Sequence, residues 1–84
     1  MSLYQLQKII YHINRDSERR ERYRRDPAKF VQGYELSEAE AQAILKVDTR
    51  ALYQMGVHSL LLRPFTLLNR VSNEDYANAL KGLD

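Results

Sequence analysis

Apolar residues near the start of the chain recur at the spacing of one helix face. Leucine or isoleucine stands at Leu3, Leu6, Ile9, Ile10 and Ile13. Because an α-helix has 3.6 residues per turn, residues three and four apart lie on the same side. The pattern therefore predicts a first helix over residues 3–14 with one side facing a core.

A second helix is predicted from Asp16 or Ser17, either of which can cap it, to Arg25. Six arginines fall between positions 15 and 25. An acid precedes three of them by four residues, the favourable order for ion pairs on a helix: Asp16–Arg20, Glu18–Arg22 and Glu21–Arg25. These pairs favour a solvated helix face, with a phosphate-binding face and a charged rim around a protein interface as the alternatives.

The third helix begins at a proline. Asp26 can cap it, and Pro27 suits its first position, where no backbone donor is required. It carries Phe30 and Val31, and Gly33 is expected to end it.

Two further helices begin at strong capping signals. Ser37 and Glu40 form a capping box, which predicts a fourth helix that ends near Val47 and buries Ala41, Ile44 and Leu45. Asp48 can cap a fifth helix that Gly56 closes, with Leu52, Tyr53 and Met55 on it.

The most apolar stretch runs from Leu60 to Leu68 and contains Pro64. Because an interior proline costs about 3 kcal/mol, a helix here is expected either to start close to Pro64 or to kink there. Ser72 or Asn73 then begins a last helix, with Tyr76, Leu80 and Leu83 facing inward and Gly82 near its end.

These elements define the expected fold class: all-α, a compact bundle of six to seven short helices in a single domain over residues 1–84. No segment alternates with the period of a strand. A core of this size is thin, so a bound partner would add stability.

Composition argues against a catalytic site in this chain. It has no cysteine and only two histidines, His12 and His58, at a spacing that does not form a metal-ligand pair. His12 is expected on a solvated helix face, and His58 as a helix cap or surface residue. Most of the serines occupy cap positions, and no phosphate-binding glycine loop occurs. No signal peptide or membrane span is indicated, so a cytoplasmic location is expected.

Residues in the middle of the chain follow a recognisable order. They read Asp26-Pro27-x-x-Phe30, Gly33-Tyr34-x-Leu36-Ser37-x-x-Glu40, Ile44-Leu45-x-x-Asp48, Ala51-Leu52-Tyr53-x-x-Gly56-Val57-His58 and Leu61-Leu62. This resembles the LigA family, the small (alpha) subunit of protocatechuate 4,5-dioxygenase and its stand-alone relatives. The resemblance covers residues 23–62, and the last helix, over residues 72–82, lies beyond it.

The resemblance implies a non-catalytic accessory subunit of an extradiol ring-cleaving dioxygenase, with no activity alone. In that family the large subunit binds Fe(II) and contains the catalytic base, and the small subunit covers the active-site mouth. The segment after the glycine helps to line the substrate pocket. The predicted lid is therefore Val57, His58, Ser59, Leu60, Leu61, Leu62 and Phe65. It is more aliphatic than a pocket for an aromatic acid would suggest. The lid role predicts that the stretch from Leu60 to Phe65 is exposed in the isolated chain; the alternative is a central helix whose apolar side chains are mostly buried by the other helices.

Two other functions fit the same helical pattern. One is a recognition or leader domain of a ribosomally made peptide precursor, which requires an unstructured C-terminal tail for a modifying enzyme. The other is a free-standing homo-oligomer that buries the leucine-rich stretch on itself. Nucleic-acid binding by the arginines ranks below these, because acids balance much of their charge.

Overall fold

The computed structural model describes residues 2–83, of which Ser2 is described in its backbone only. Seven helices and no strand occur in this part of the chain, which confirms the all-α class. The helices are α1 (Ser2–Arg15), α2 (Ser17–Arg25), α3 (Pro27–Gln32), α4 (Glu38–Lys46), α5 (Thr49–Gln54), α6 (Ser59–Leu68) and α7 (Asn73–Leu80). None of these helices has the length and apolar character needed to cross a membrane.

The core forms where α1 packs on α6. The side of α1 predicted from spacing is fully buried at Leu6, Ile9, Ile10 and Ile13. Leu3, the first residue of the predicted pattern, is 37% exposed instead, because it lies at the start of the helix. Leu62 and Phe65 of α6 belong to the same core, which Tyr23, Val31, Ala43, Ile44, Leu52 and Val57 complete. Each of the other helices packs one side on the α1–α6 pair or on a neighbouring helix, because a helix with a single apolar stripe buries that stripe against another element.

Side chains cap six of the helix starts. The predicted caps of α2, α3, α4, α5 and α7 accept hydrogen bonds from backbone N–H groups: Asp16, Asp26, Ser37, Asp48 and Ser72. The capping box of α4 is complete, with Ser37 N 2.8 Å from Glu40 Oε1 and Glu40 N 3.2 Å from Ser37 Oγ. Each such cap is worth about 1 kcal/mol.

Helix α6 does not start close to Pro64, which was the first of the two alternatives predicted for it. It begins at Ser59, five residues before Pro64, because His58 caps it: Leu60 N donates to His58 Nδ1 over 3.1 Å. Pro64 therefore lies inside the helix and leaves the Leu60 carbonyl without its usual partner. Leu60 is exposed, so water can replace that hydrogen bond.

Burial differs from expectation on α4 and α7. Ala43 is buried in α4, whereas Ala41 and Leu45 are only half-buried. Residues Tyr76, Leu80 and Leu83, expected to face inward, are also half-buried. Tyr76 and Leu80 of α7 are only half-buried because this helix lies at the edge of the bundle, where α5 is its main contact.

Candidate partner-binding surface

The turn between α5 and α6 sets the position of the predicted lid. Gly56 has φ +103°, a backbone conformation that residues other than glycine rarely adopt. An added Cβ at Gly56 would also lie 3.3 Å from the Leu3 side chain. The turn closes when Val57 N donates to the Leu52 carbonyl over 3.1 Å, and the Val57 side chain enters the core.

The predicted lid residues separate into two groups by burial. Val57, Leu62 and Phe65 lie in the core. His58, Ser59 and Leu60 are exposed, and Leu61 is half-buried. The expectation that the whole stretch from Leu60 to Phe65 is exposed is therefore wrong for Leu62 and Phe65, because α1 packs on that side of α6. A role at a partner's active site stays a prediction, and in this conformation only the exposed members can reach a partner.

One hydrogen bond holds His58 against α1, and a second makes it the cap of α6. Its backbone N–H donates to Gln7 Oε1 over 3.0 Å, and its Nδ1 accepts from Leu60 N. His58 is thus a helix cap, one of the two roles expected for it. A second link joins the same helices, since Asn14 Nδ2 donates to the Leu61 carbonyl over 3.0 Å. The start of α6 is consequently fixed relative to α1.

An apolar stripe remains on the outer side of α6. Leu60 is 78% exposed and Leu67 is 55% exposed, and the exposed Pro64 lies between them. Their spacing of four and three residues places the three side chains on one helix face. We refer to Leu60, Pro64 and Leu67 as the α6 stripe. Sequence reasoning did not include Leu67 and Pro64 in the site, although the i, i+4, i+7 spacing was the signal that could have found them.

Helix α1 adds aromatic surface beside α6. Tyr4 and Tyr11 are 65% and 49% exposed. With Gln7 and Leu61 they line a shallow hollow of about 440 Å³. Sequence reasoning missed these tyrosines, because only the packing of α1 on α6 places them next to Leu61. Exposed apolar surface shared by two helices is typical of protein interaction sites.

His12 corrects an expectation made from the sequence. It is half-buried rather than solvated, and its Nδ1 lies 2.7 Å from the Tyr34 hydroxyl. Burial lowers the pKa of His12, and Arg19 and Lys8 lower it further, whereas Asp16 raises it. The chain reversal after α3 brings Tyr34 over α1, which the spacing of residues along α1 could not reveal.

The arginine cluster forms fewer of the predicted ion pairs than expected. Glu18 and Arg22 pair at 3.3 Å, as predicted. Asp16 pairs with Arg19 at 3.7 Å instead of with Arg20, and no pair between Glu21 and Arg25 occurs in residues 2–83. Arg20 turns back to the end of α1, where its Nη2 donates to the Asn14 carbonyl over 2.7 Å.

The fold and the site together define a class: a small all-helical protein in which the core helix α6 presents an apolar stripe on its exposed side. In residues 2–83 no three side chains of His, Cys, Asp or Glu are grouped as metal ligands would be. The model of one family, described as aromatic-ring-opening dioxygenase LigAB, LigA subunit, matches residues 6–84. The chain belongs to the LigA family, and the match extends well beyond residues 23–62. No curated protein matches it, and neither does any solved structure.

Proposed function

We propose that this chain is the non-catalytic accessory subunit of an Fe(II)-dependent, extradiol ring-cleaving dioxygenase. It packs on the large subunit and covers the active-site mouth. The observation that carries the proposal is the α6 stripe, whose two leucines stay exposed on a helix anchored to α1. Family membership supports the identity of the partner. In this proposal the iron and the catalytic base belong to the large subunit, and the complex works in the cytoplasm in aromatic catabolism.

The contribution of the stripe follows from its exposed area. Burying a leucine side chain completely is worth about 1.5–3 kcal/mol relative to leaving it in water. Leu60 keeps 78% of its surface exposed in the isolated chain, so most of that free energy is available for association. A lid of this kind also excludes water from the ring-cleavage site, which strengthens the electrostatic interactions inside it.

A charge placed on the stripe provides the test. Leu60→Asp should abolish or strongly weaken association with the dioxygenase large subunit that the proposal requires, measured by co-purification and by iron-dependent cleavage of protocatechuate. The isolated variant should keep its unfolding midpoint, because position 60 is exposed and an acid in the first turn of α6 interacts favourably with the helix dipole.

Ala39→Asp is the matched control, since it adds the same charge at an exposed position in the first turn of α4. It should leave both association and activity close to those of the wild type. Ring cleavage by this chain alone would contradict the proposal, and so would full activity of the Leu60→Asp complex. Light scattering of the free chain tests the homo-oligomer alternative, which predicts that the measured mass rises with protein concentration.

The last helix differs from the unstructured segment that the peptide-precursor alternative expects in this part of the chain. Residues 73–80 form α7 rather than an unstructured tail. Arg50 Nη1 donates to the carbonyls of Ala79 and Lys81 at 3.3 Å each, and the Arg63 guanidinium lies 4.6 Å from the Tyr76 ring centre. These contacts fix α7 to α5 and α6, and a modifying enzyme would have to break them.

A further inference from the structure

A cleft of about 710 Å³ lies where α1, α2 and α3 meet, away from the α6 stripe. Its volume falls within the range of about 300–1,000 Å³ that small-molecule sites occupy. One carboxylate lines it, that of Asp26. Five cationic side chains line it: Lys8, Arg19, Arg22, Arg25 and Lys29. The cleft therefore gathers into one concave site the positive charge that the sequence shows only as a run.

Carboxylates near the cleft balance part of this charge. Arg19 and Arg22 pair with Asp16 and Glu18, but both pairs are open to solvent and therefore contribute little. Arg25 and Lys29 take part in neither of the two ion pairs found in residues 2–83. With Asp16 and Glu18 counted beside Asp26, the cations still outnumber the acids, so an anion gains free energy by entering.

Aromatic rings form the apolar part of the same cleft. Phe30 and Tyr34 are half-buried with ring centres 5.5 Å apart, and His12 lies 5.8 Å from Tyr34. Part of each ring is open to the cleft, because all three residues line it. Positive charge beside exposed ring faces suits a ligand that combines anionic groups with a planar ring.

We infer that this cleft binds a small phosphorylated compound that carries a planar ring, of the class of a nucleoside diphosphate. Its phosphates contact Arg22, Arg25 and Lys29, and its ring packs on Phe30 and Tyr34. Guanidinium groups match phosphate oxygens in a bidentate arrangement. Of the cations that line the cleft, Lys8, Arg25 and Lys29 take part in neither ion pair found in residues 2–83, so a ligand with a single carboxylate would neutralise too little of this charge. A long nucleic acid is less suitable, because the groups converge on one cleft rather than extend along a surface. This site does not depend on the accessory-subunit proposal.

Calorimetric titration of the full-length chain at low salt tests the ligand class with three probes. ADP carries both the ring and the phosphates, pyrophosphate carries only the charge, and adenosine carries only the ring. ADP should bind at least roughly tenfold more tightly than either part, since stacking and phosphate contacts each add free energy. Equal affinity for ADP and pyrophosphate would overturn the inference.

Two adjacent arginines provide matched variants. Arg25→Gln and Arg24→Gln remove the same charge from α2, yet only Arg25 lines the cleft. Arg25→Gln should weaken ADP binding by roughly tenfold, the loss expected for one charge-assisted hydrogen bond, and Arg24→Gln by less than about twofold. Equal losses would show unspecific attraction to the charge of α2 and would overturn the site.

Amide chemical shifts locate the bound probe. ADP should shift the amide signals of Lys8, Lys29 and Gly33, which line the cleft, and leave those of α7 unchanged. Tighter binding of a single-stranded oligonucleotide than of ADP, with shifts that spread along the exposed side of α2, would replace the small-molecule site with a nucleic-acid surface.

Discussion

The imidazole of His12 lies among groups from three parts of the fold. Lys8 comes from α1, Asp16 and Arg19 from the cap and first turns of α2, and Tyr34 from the turn after α3. Burial disfavours the charged imidazole, and the positive charges of Arg19 and Lys8 disfavour its protonation further. The nearby Asp16 carboxylate acts in the opposite direction but is the smallest of these causes. The folded chain therefore favours neutral His12.

This lowered pKa predicts a pH dependence of stability. As pH falls through the ordinary histidine value of about 6.5, the unfolded chain binds a proton at position 12 before the folded chain does. The free energy of unfolding should therefore decrease between about pH 7.5 and about pH 5.5, measured by urea denaturation. His12→Gln should show a weaker decrease over the same range. An unchanged slope in that variant would assign the effect to other groups.

The junction of α1 and α2 shows how one arginine stabilises a helix end. The last carbonyls of a helix have no partner within it. Arg20 supplies one, because its Nε donates to the Ile13 carbonyl over 3.0 Å and its Nη2 to that of Asn14. Asp16 caps the next helix one residue after α1 ends. The sharp turn between the two helices is thus held from both sides.

Arg20→Ala should destabilise the chain by roughly 1–2 kcal/mol, since two charge-assisted hydrogen bonds to a helix end are lost at a partly exposed position. Arg24→Ala, on the same helix, removes an exposed side chain for which no hydrogen bond or ion pair is found in residues 2–83, and should change stability by less than about 0.5 kcal/mol. Urea unfolding followed by helical circular dichroism measures both values. Equal effects of the two substitutions would rule out a capping role for Arg20.

At the scale of the whole molecule, a few large side chains hold seven short helices together. Phe65 is fully buried, and its ring centre lies 6.0 Å from that of Tyr23 on α2. Tyr23 in turn donates to Asn69 Oδ1 over 3.1 Å at the end of α6. Because helices of 6 to 14 residues are marginal alone, their stability comes from this shared core.

Phe65→Ala should therefore lower the free energy of unfolding by about 3–5 kcal/mol, a large part of the total stability of a domain of this size. Leu67→Ala lies two residues away on the same helix but alters a side chain that is 55% exposed, and should cost less than about 1 kcal/mol. Thermal and urea unfolding of the two variants check the difference. A small loss for Phe65→Ala would mean that the core does not depend on α6.

The sequence by itself determined the helices and, except for α6, where they start. A cap such as Ser37 with Glu40 acts within one turn, and the apolar spacing of α1 is a property of the helix itself, so both are readable without the fold. The resemblance in residues 23–62 pointed to the family that matches residues 6–84.

Only the tertiary structure decided which apolar and charged residues remain at the surface. Leu60 and Leu62 stand two positions apart in one leucine run, yet α1 covers Leu62 and leaves Leu60 in water. Arg24 and Arg25 are neighbours, but only Arg25 lines the cleft formed with α1 and α3. Such differences depend on which side of a helix meets another helix, and that is set by contacts between residues far apart in the chain.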